Sequence, residues 1–168
     1  EAVGENVSDF KSGDRVWATN QGFFGQQGVF AEFSAVDAKW LNPIPDGVEE
    51  KTAAANALVG VTAHLGLFRF GRLQAGESVF VHGGSGGVRT MVVQMAKAAG
   101  ARVMTTASSE EKRTLCESLG ADRVANYRTD DVNAILQEFA PEGVDVWFET
   151  LREQDLENAV ANVAPRGR

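Results

Sequence analysis

Val79-Phe80-Val81-His82-Gly83-Gly84-Ser85-Gly86-Gly87-Val88-Arg89 holds the densest chemistry of the chain. A short β-branched and aromatic run enters a glycine cluster. Apolar residues then recur at Val88, Met91, Val92, Met95, Ala96 and Ala99, and the pattern stops at Gly100. That spacing is one face of a helix following directly on a strand. Strand, glycine turn and helix in this order suit the pyrophosphate of a dinucleotide. Glycines let the backbone approach the phosphates, and the free N–H groups at the helix start meet the negative charge together with the positive end of the helix dipole. Gly84, Ser85, Gly86, Gly87 and Val88 are therefore the candidate phosphate contacts. Read as G-x-G-x-x-G, the run has Gly84 and Gly86 but Arg89 where the third glycine belongs. That glycine ordinarily lets the helix lie close on the strand, so Arg89 is expected to disturb the packing. The alternative is a side chain that reaches the phosphates as a cation.

A second group of polar residues sits where the next strand should end. Folds that bind NAD place an Asp or Glu about twenty residues past the glycines, where it accepts from the ribose 2′-hydroxyl. Here that stretch is Thr105-Thr106-Ala107-Ser108-Ser109, with no acid. Lys112 follows within one helical turn, and Tyr127-Arg128 closes the neighbouring strand. Hydroxyls and a cation suit a phosphate. Ser108 and Glu111 also have the spacing of a capping box, which would leave Lys112 a solvated helix residue.

These residues need a scaffold, and the pattern supplies one. Strands are predicted at 79–82, 103–106, 123–127 and 144–148, alternating with helical segments, which gives a parallel sheet of βαβ units. The fold class is α/β, a Rossmann-like doubly wound parallel sheet, here incomplete. Up to Gly47 no helical period is visible. Residues 14–18 and 28–36 read as strands, and 41–47 as an extended stretch and turn in which Pro43 and Pro45 forbid a helix. Residues 51–70 are helix-compatible, with Gly60 and Gly66 weakening or bending them.

Composition narrows the classes. The 168 residues are 43% hydrophobic and 23% charged, which suits a globular chain with a core. The net charge of −7, without a basic block, argues against a nucleic-acid partner. The single cysteine, Cys116, excludes a disulfide framework and a cysteine zinc cluster and reads as a small buried hydrophobe. No apolar run is long enough to span a bilayer, so no membrane partner is expected and a cytoplasmic location fits best. The chain opens on Glu1 and closes on Pro165-Arg166-Gly167-Arg168, and it reads as a segment of a larger protein whose fourth strand is left with an unpaired edge.

Taken in order, residues 10–16, 28–33, 53–63, 82–88, 111–112, 119–122, 126–128 and 143–146 resemble the medium-chain dehydrogenase/reductase superfamily, in its zinc-independent quinone oxidoreductase branch. The resemblance implies that residues 1–47 are the tail of a GroES-like β catalytic domain and residues 48–168 a truncated NADP(H)-binding Rossmann domain. It implies that Ser108, Lys112 and Tyr127 hold the 2′-phosphate of NADPH and that Thr62 approaches the nicotinamide; the alternative for Thr62 is an ordinary buried helix threonine. It also implies a homodimer. Zinc-dependent relatives carry a four-cysteine lobe where this chain has only a short cysteine-free link at 19–28, and their catalytic zinc ligand falls at or near Leu58, which cannot bind metal. His64 and His82 lack partners at ligand spacing, so no metal is expected. The implied activity is hydride transfer from NADPH to a quinone or activated alkene; the alternatives are an enoyl reductase of acyl thioesters and a non-catalytic NADPH-binding protein. Phe23, Phe24, Trp40 and Trp147 are candidates to line a substrate pocket, or else core residues.

Overall fold

The computed structural model describes every residue except Asn20, Phe24 and Gln26, so the expectation for Phe24 lies outside the described residues. The chain forms two compact units, Glu1–Val61 and Thr62–Arg168. Sequence character changes near Gly47, but the compact units divide at 61/62.

In the first unit a two-residue strand, β1 (Val16–Trp17), pairs antiparallel with β2 (Asn42–Pro43). Helix α1 (Glu50–Ala57) packs against β1 and is tied to it by Arg15, whose Nε lies 2.6 Å from Glu50 Oε1. The strand expected at 28–36 does not form, and Val29, Phe30 and Phe33 are exposed. Alternation makes a strand only where a neighbour takes up its N–H and C=O groups. Among the described residues nothing pairs with this segment. The expected single helix over 51–70 is also divided. Helix α2 (Val59–His64) follows α1 after Leu58 and passes into a π-type turn over Leu65–Phe70, where Gly71 N–H bonds Gly66 O at 2.8 Å.

The second unit carries the parallel sheet. Its elements are β3 (Ser78–Val81), α3 (Gly87–Ala98), β4 (Arg102–Ala107), α4 (Glu110–Ser118), β5 (Arg123–Asn126), α5 (Val132–Phe139), β6 (Val146–Phe148) and α6 (Leu156–Asn162). The strand order is β5-β4-β3-β6, all parallel. Side chains alternate across the pleat. Val79, Val81, Val103 and Val146 meet Val92, Val93 and Ala96 of α3 on one face, while Phe80 and Met104 meet Leu136 and Val144 on the other. Cys116 is fully buried beside Ala107 and Val124, and burial pushes its thiol pKa up. After β5 the chain returns to the far side of β3, so the winding reverses between β3 and β6. Such reversals open a crevice at the carboxyl ends of the strands.

Two features of the sheet edge differ from expectation. Helix α6 lies beyond the expected elements, and Asp155 caps it by accepting from Asn158 N–H at 3.0 Å, an N-cap signal legible in the sequence. The outer edge of β6 is also covered. Residues 163–168 run beside it, with Val144 bridging Val163, Trp147 N–H donating to Arg168 O at 2.8 Å and Arg168 N–H donating to Asp145 O at 3.0 Å. The strand edge expected to be unpaired thus has a partner within the chain.

Asp145 joins β6 to β3 by accepting from both the N–H and the hydroxyl of buried Ser78, each at 2.8 Å. Burial by itself raises its pKa, but the Ser78 hydrogen bonds together with the positive charges of Arg168 and Arg102 outweigh it and hold the carboxyl below its usual 3.8. A depressed folded-state value stabilises the fold above the ordinary carboxylate pKa, and that contribution is lost as pH falls through the lowered one. Asp145→Asn is expected to flatten the acid limb of the melting-temperature profile below about pH 4. An acid limb unchanged in the variant would show that the pair does not contribute.

Candidate functional site

The glycine turn is stitched to β4 by two buried hydroxyls. Gly83 N–H donates to Thr106 Oγ1 (2.9 Å), and Gly84 N–H to Thr105 Oγ1 (2.8 Å) and Thr106 O (3.0 Å). Thr105 Oγ1 donates in turn to Val81 O at 2.6 Å. Both threonines are completely buried. The sequence pattern presents them only as part of the strand end, yet hydroxyls buried there must find partners. Gly84 has no room for a side chain, since a β-carbon there would stand 2.4 Å from Thr105 Oγ1. Gly83 adopts φ +73°.

Helix α3 begins without a side-chain cap, and its first hydrogen bond runs from Thr90 N–H to Gly86 O at 2.8 Å. The amides of Gly87, Val88 and Arg89 precede that bond and belong to the turn whose donors have no acceptor inside a helix. The Val88 side chain packs on the core, so only its backbone is available to a ligand.

Beside the turn lies a cleft of about 320 Å³ at the ends of β3, β4 and β5. It brings together Ser85, Ser108, Lys112 and Tyr127, four of the expected site residues, with Arg89 and His82. Among the described residues no carboxylate lines it, and the β4 tip is the buried Ala107. The alternative of a Ser108–Glu111 capping box is not realised. Ser109, not Ser108, caps α4 by accepting from Lys112 N–H at 3.4 Å, because adjacent serines offer two registers and the helix takes the second. Ser108 Oγ instead accepts from Lys112 Nζ at 3.1 Å. Arg89 does not wedge between helix and strand. Its guanidinium folds back over the turn, with Nη2 2.4 Å from where a Gly86 β-carbon would be and Nη1 3.5 Å from the Gly83 equivalent.

His82 Nδ1 lies 3.0 Å from Glu149 Oε2, and Glu149 Oε1 accepts from Thr150 N–H (2.8 Å) and Leu151 N–H (2.7 Å). The pair fastens the loop after β6 to the end of β3. Beyond it a second cleft, of about 530 Å³, is lined by Thr62, Leu65, Phe70, Trp147, Glu149 and Thr150 among others. Thr62 is exposed on this wall, not a buried helix threonine. Trp147 lines the cleft and also packs on Phe80, with ring centroids 4.3 Å apart. Phe23 and Trp40 belong to the other unit and are exposed. His64 is exposed and stacks near Phe68. Among the described residues no three His, Cys, Asp or Glu side chains are grouped to hold a metal ion, and no single helix is long and apolar enough to cross a membrane.

Residues 87–168 match the family described as zinc-binding dehydrogenase. The chain is 37% identical to the quinone oxidoreductase of Rattus norvegicus, over all of this chain and 50% of that protein. It therefore spans about half the length of the curated relatives it matches. Among solved structures, the Escherichia coli quinone oxidoreductase complexed with NADPH superposes with a TM-score of 0.87 at 27% identity, covering 98% of this chain and 50% of that one. A 2-haloacrylate reductase superposes with a TM-score of 0.86 at 28% identity, over 98% and 51%.

Proposed function

As the chain belongs to the medium-chain dehydrogenase/reductase superfamily, on its quinone oxidoreductase branch, we propose that it forms the NADPH-binding half of a zinc-independent reductase of quinones or activated alkenes. The observation that carries this reading is the cleft in which Ser108, Lys112 and Tyr127 converge beside the glycine turn with no carboxylate among them. The residues fit the cofactor. Gly84 leaves the backbone bare where a β-carbon would collide, and the amides at the start of α3 are donors for a pyrophosphate. Ser108, Lys112 and Tyr127 would hold the 2′-phosphate, with hydroxyls and a cation in place of the acid that selects a ribose hydroxyl.

When bound, NADPH supplies a hydride. The chain's own residues position and shield. The Glu149–His82 pair holds the loop that separates the two clefts, and Thr62 and Trp147 offer walls for a ring and an acceptor in the larger one. Holding both partners of a transfer in register, away from water, is the chief service a protein gives to cofactor chemistry. The proposed absence of zinc rests on the cysteine-free link at 19–28 and on Leu58 at or near the position of the relatives' metal ligand. The quinone or alkene substrate class draws on the names of the rat and Escherichia coli proteins and of the 2-haloacrylate reductase. Residues 1–47 as part of a GroES-like domain, a homodimeric assembly and a cytoplasmic location complete the reading.

Fluorescence titration tests the cofactor assignment. NADPH is expected to bind more tightly than NADH, and Lys112→Ala to erase most of the difference, by roughly tenfold to a hundredfold for a lost charged hydrogen bond. Equal affinities for the two cofactors would sink the assignment. NADPH consumption against quinone and enone panels then tests the substrate class.

A further inference from the structure

Of the lysines and arginines among the described residues, four are neither exposed nor fully buried: Arg89, Lys97, Arg113 and Arg168. Lys97 pairs with Asp122, Arg113 with Glu117 and Arg168 with Glu77. Arg89 is the one of the four with no carboxylate. It has no hydrogen bond or ion pair among the described residues, although its guanidinium carries five donors. A cation drawn partly out of water needs an anion to offset the loss of hydration. None lines the cleft that Arg89 faces, in a chain whose net charge is −7.

Arg89 shares its cleft with Ser108, Lys112 and Tyr127 at the tips of β4 and β5. The pyrophosphate already has the amides at the start of α3. A 2′-phosphate carries a charge of about −1.5 to −2 near neutral pH, and among the described residues Lys112 is the only other lysine or arginine lining that cleft. We propose that Arg89, standing where the fingerprint asks for glycine, is a second cationic ligand of the cofactor's 2′-phosphate and shares it with Lys112. This inference rests on reading the cleft as the NADPH site. The arginine then compensates for its own intrusion. It covers Gly83 and Gly86 with a flat fork of donors suited to phosphate oxygens, which a lysine cannot reproduce.

Binding of 2′,5′-ADP and 5′-ADP, followed by calorimetry, separates the possibilities without reference to turnover. In Arg89→Ala the affinity for 2′,5′-ADP is expected to fall roughly tenfold or more, while that for 5′-ADP stays within about twofold. Arg89→Lys should recover part of the loss, and the ligand-free melting temperature of both variants should match that of the parent. Unchanged or tighter binding of 2′,5′-ADP by Arg89→Ala would overturn the proposal, and so would an equal loss for both probes, which would move the contact to the pyrophosphate. If the parent protein binds neither probe, the cofactor reading itself fails. If it binds both and responds to Lys112→Ala but not to Arg89→Ala, only the role of Arg89 fails.

Discussion

Gly84→Ala is expected to lower NADPH affinity by roughly a hundredfold or more and to destabilise the fold by about 1–3 kcal/mol, the usual range for overpacking a close-packed interior. The added β-carbon would stand 2.4 Å from Thr105 Oγ1 and 2.9 Å from its Cγ2. Thr105 has little freedom to yield. It is fully buried, and its hydroxyl both accepts from Gly84 N–H and donates to Val81 O. Relief must come from lifting the turn, which displaces the amides at the start of α3. Thr105→Ala removes the two nearest atoms and leaves only Cβ, at 3.0 Å, so the double variant should bind more tightly than Gly84→Ala alone. That sign is opposite to the additive expectation for two damaging changes. Wild-type affinity in Gly84→Ala would show that close approach at this glycine is not what the site requires.

Gly143→Ala is expected to cost about 2–5 kcal/mol, from the left-handed backbone and overpacking together. Gly143 has φ +90°, and a β-carbon there would lie 2.5 Å from Ala164 N and 2.6 Å from Val163 C, both backbone atoms. A side chain could swing aside, but the backbone here cannot move without straining the bonds from Ala164 N–H to Val144 O and from Val144 N–H to Asn162 O, which anchor the strip that continues to Trp147 and Arg168. Native-state hydrogen exchange should therefore show the Trp147 and Arg168 amides opening first, ahead of β3 and β4. Uniform loss of protection across the sheet would mean that 163–168 is not a separable unit. A cost of this size is a large fraction of a typical stability of about 5–15 kcal/mol.

The sheet was legible because its core strands announce themselves. Val79, Phe80 and Val81, with Val103 and Met104, are apolar on both faces, as covered parallel strands must be. Ser85, Ser108, Lys112 and Tyr127 could be brought to one cleft on paper because strand tips and helix starts share one end of such a sheet. Other features rest on pairings without a local signature. Residues 163–168 lie along β6 through main-chain bonds, which any side chains could accompany. His82 and Glu149 meet across 67 positions. Residues 28–36 alternate as a strand does, yet among the described residues they have no partner strand. Ser108 and Ser109 offer two registers for one cap, and only the fold shows that the second is used, which frees Ser108 for Lys112.

Quinones and activated alkenes, the proposed substrates, are also alkylating agents, and their preferred protein target is the thiolate of cysteine. The one cysteine of this chain is Cys116, which is sealed against Ala107 and Val124 and has a thiol pKa raised by burial. Both ingredients of reactivity, access and thiolate fraction, are withheld. Within this stretch of the protein, the one thiol therefore offers a bound electrophile neither access nor thiolate.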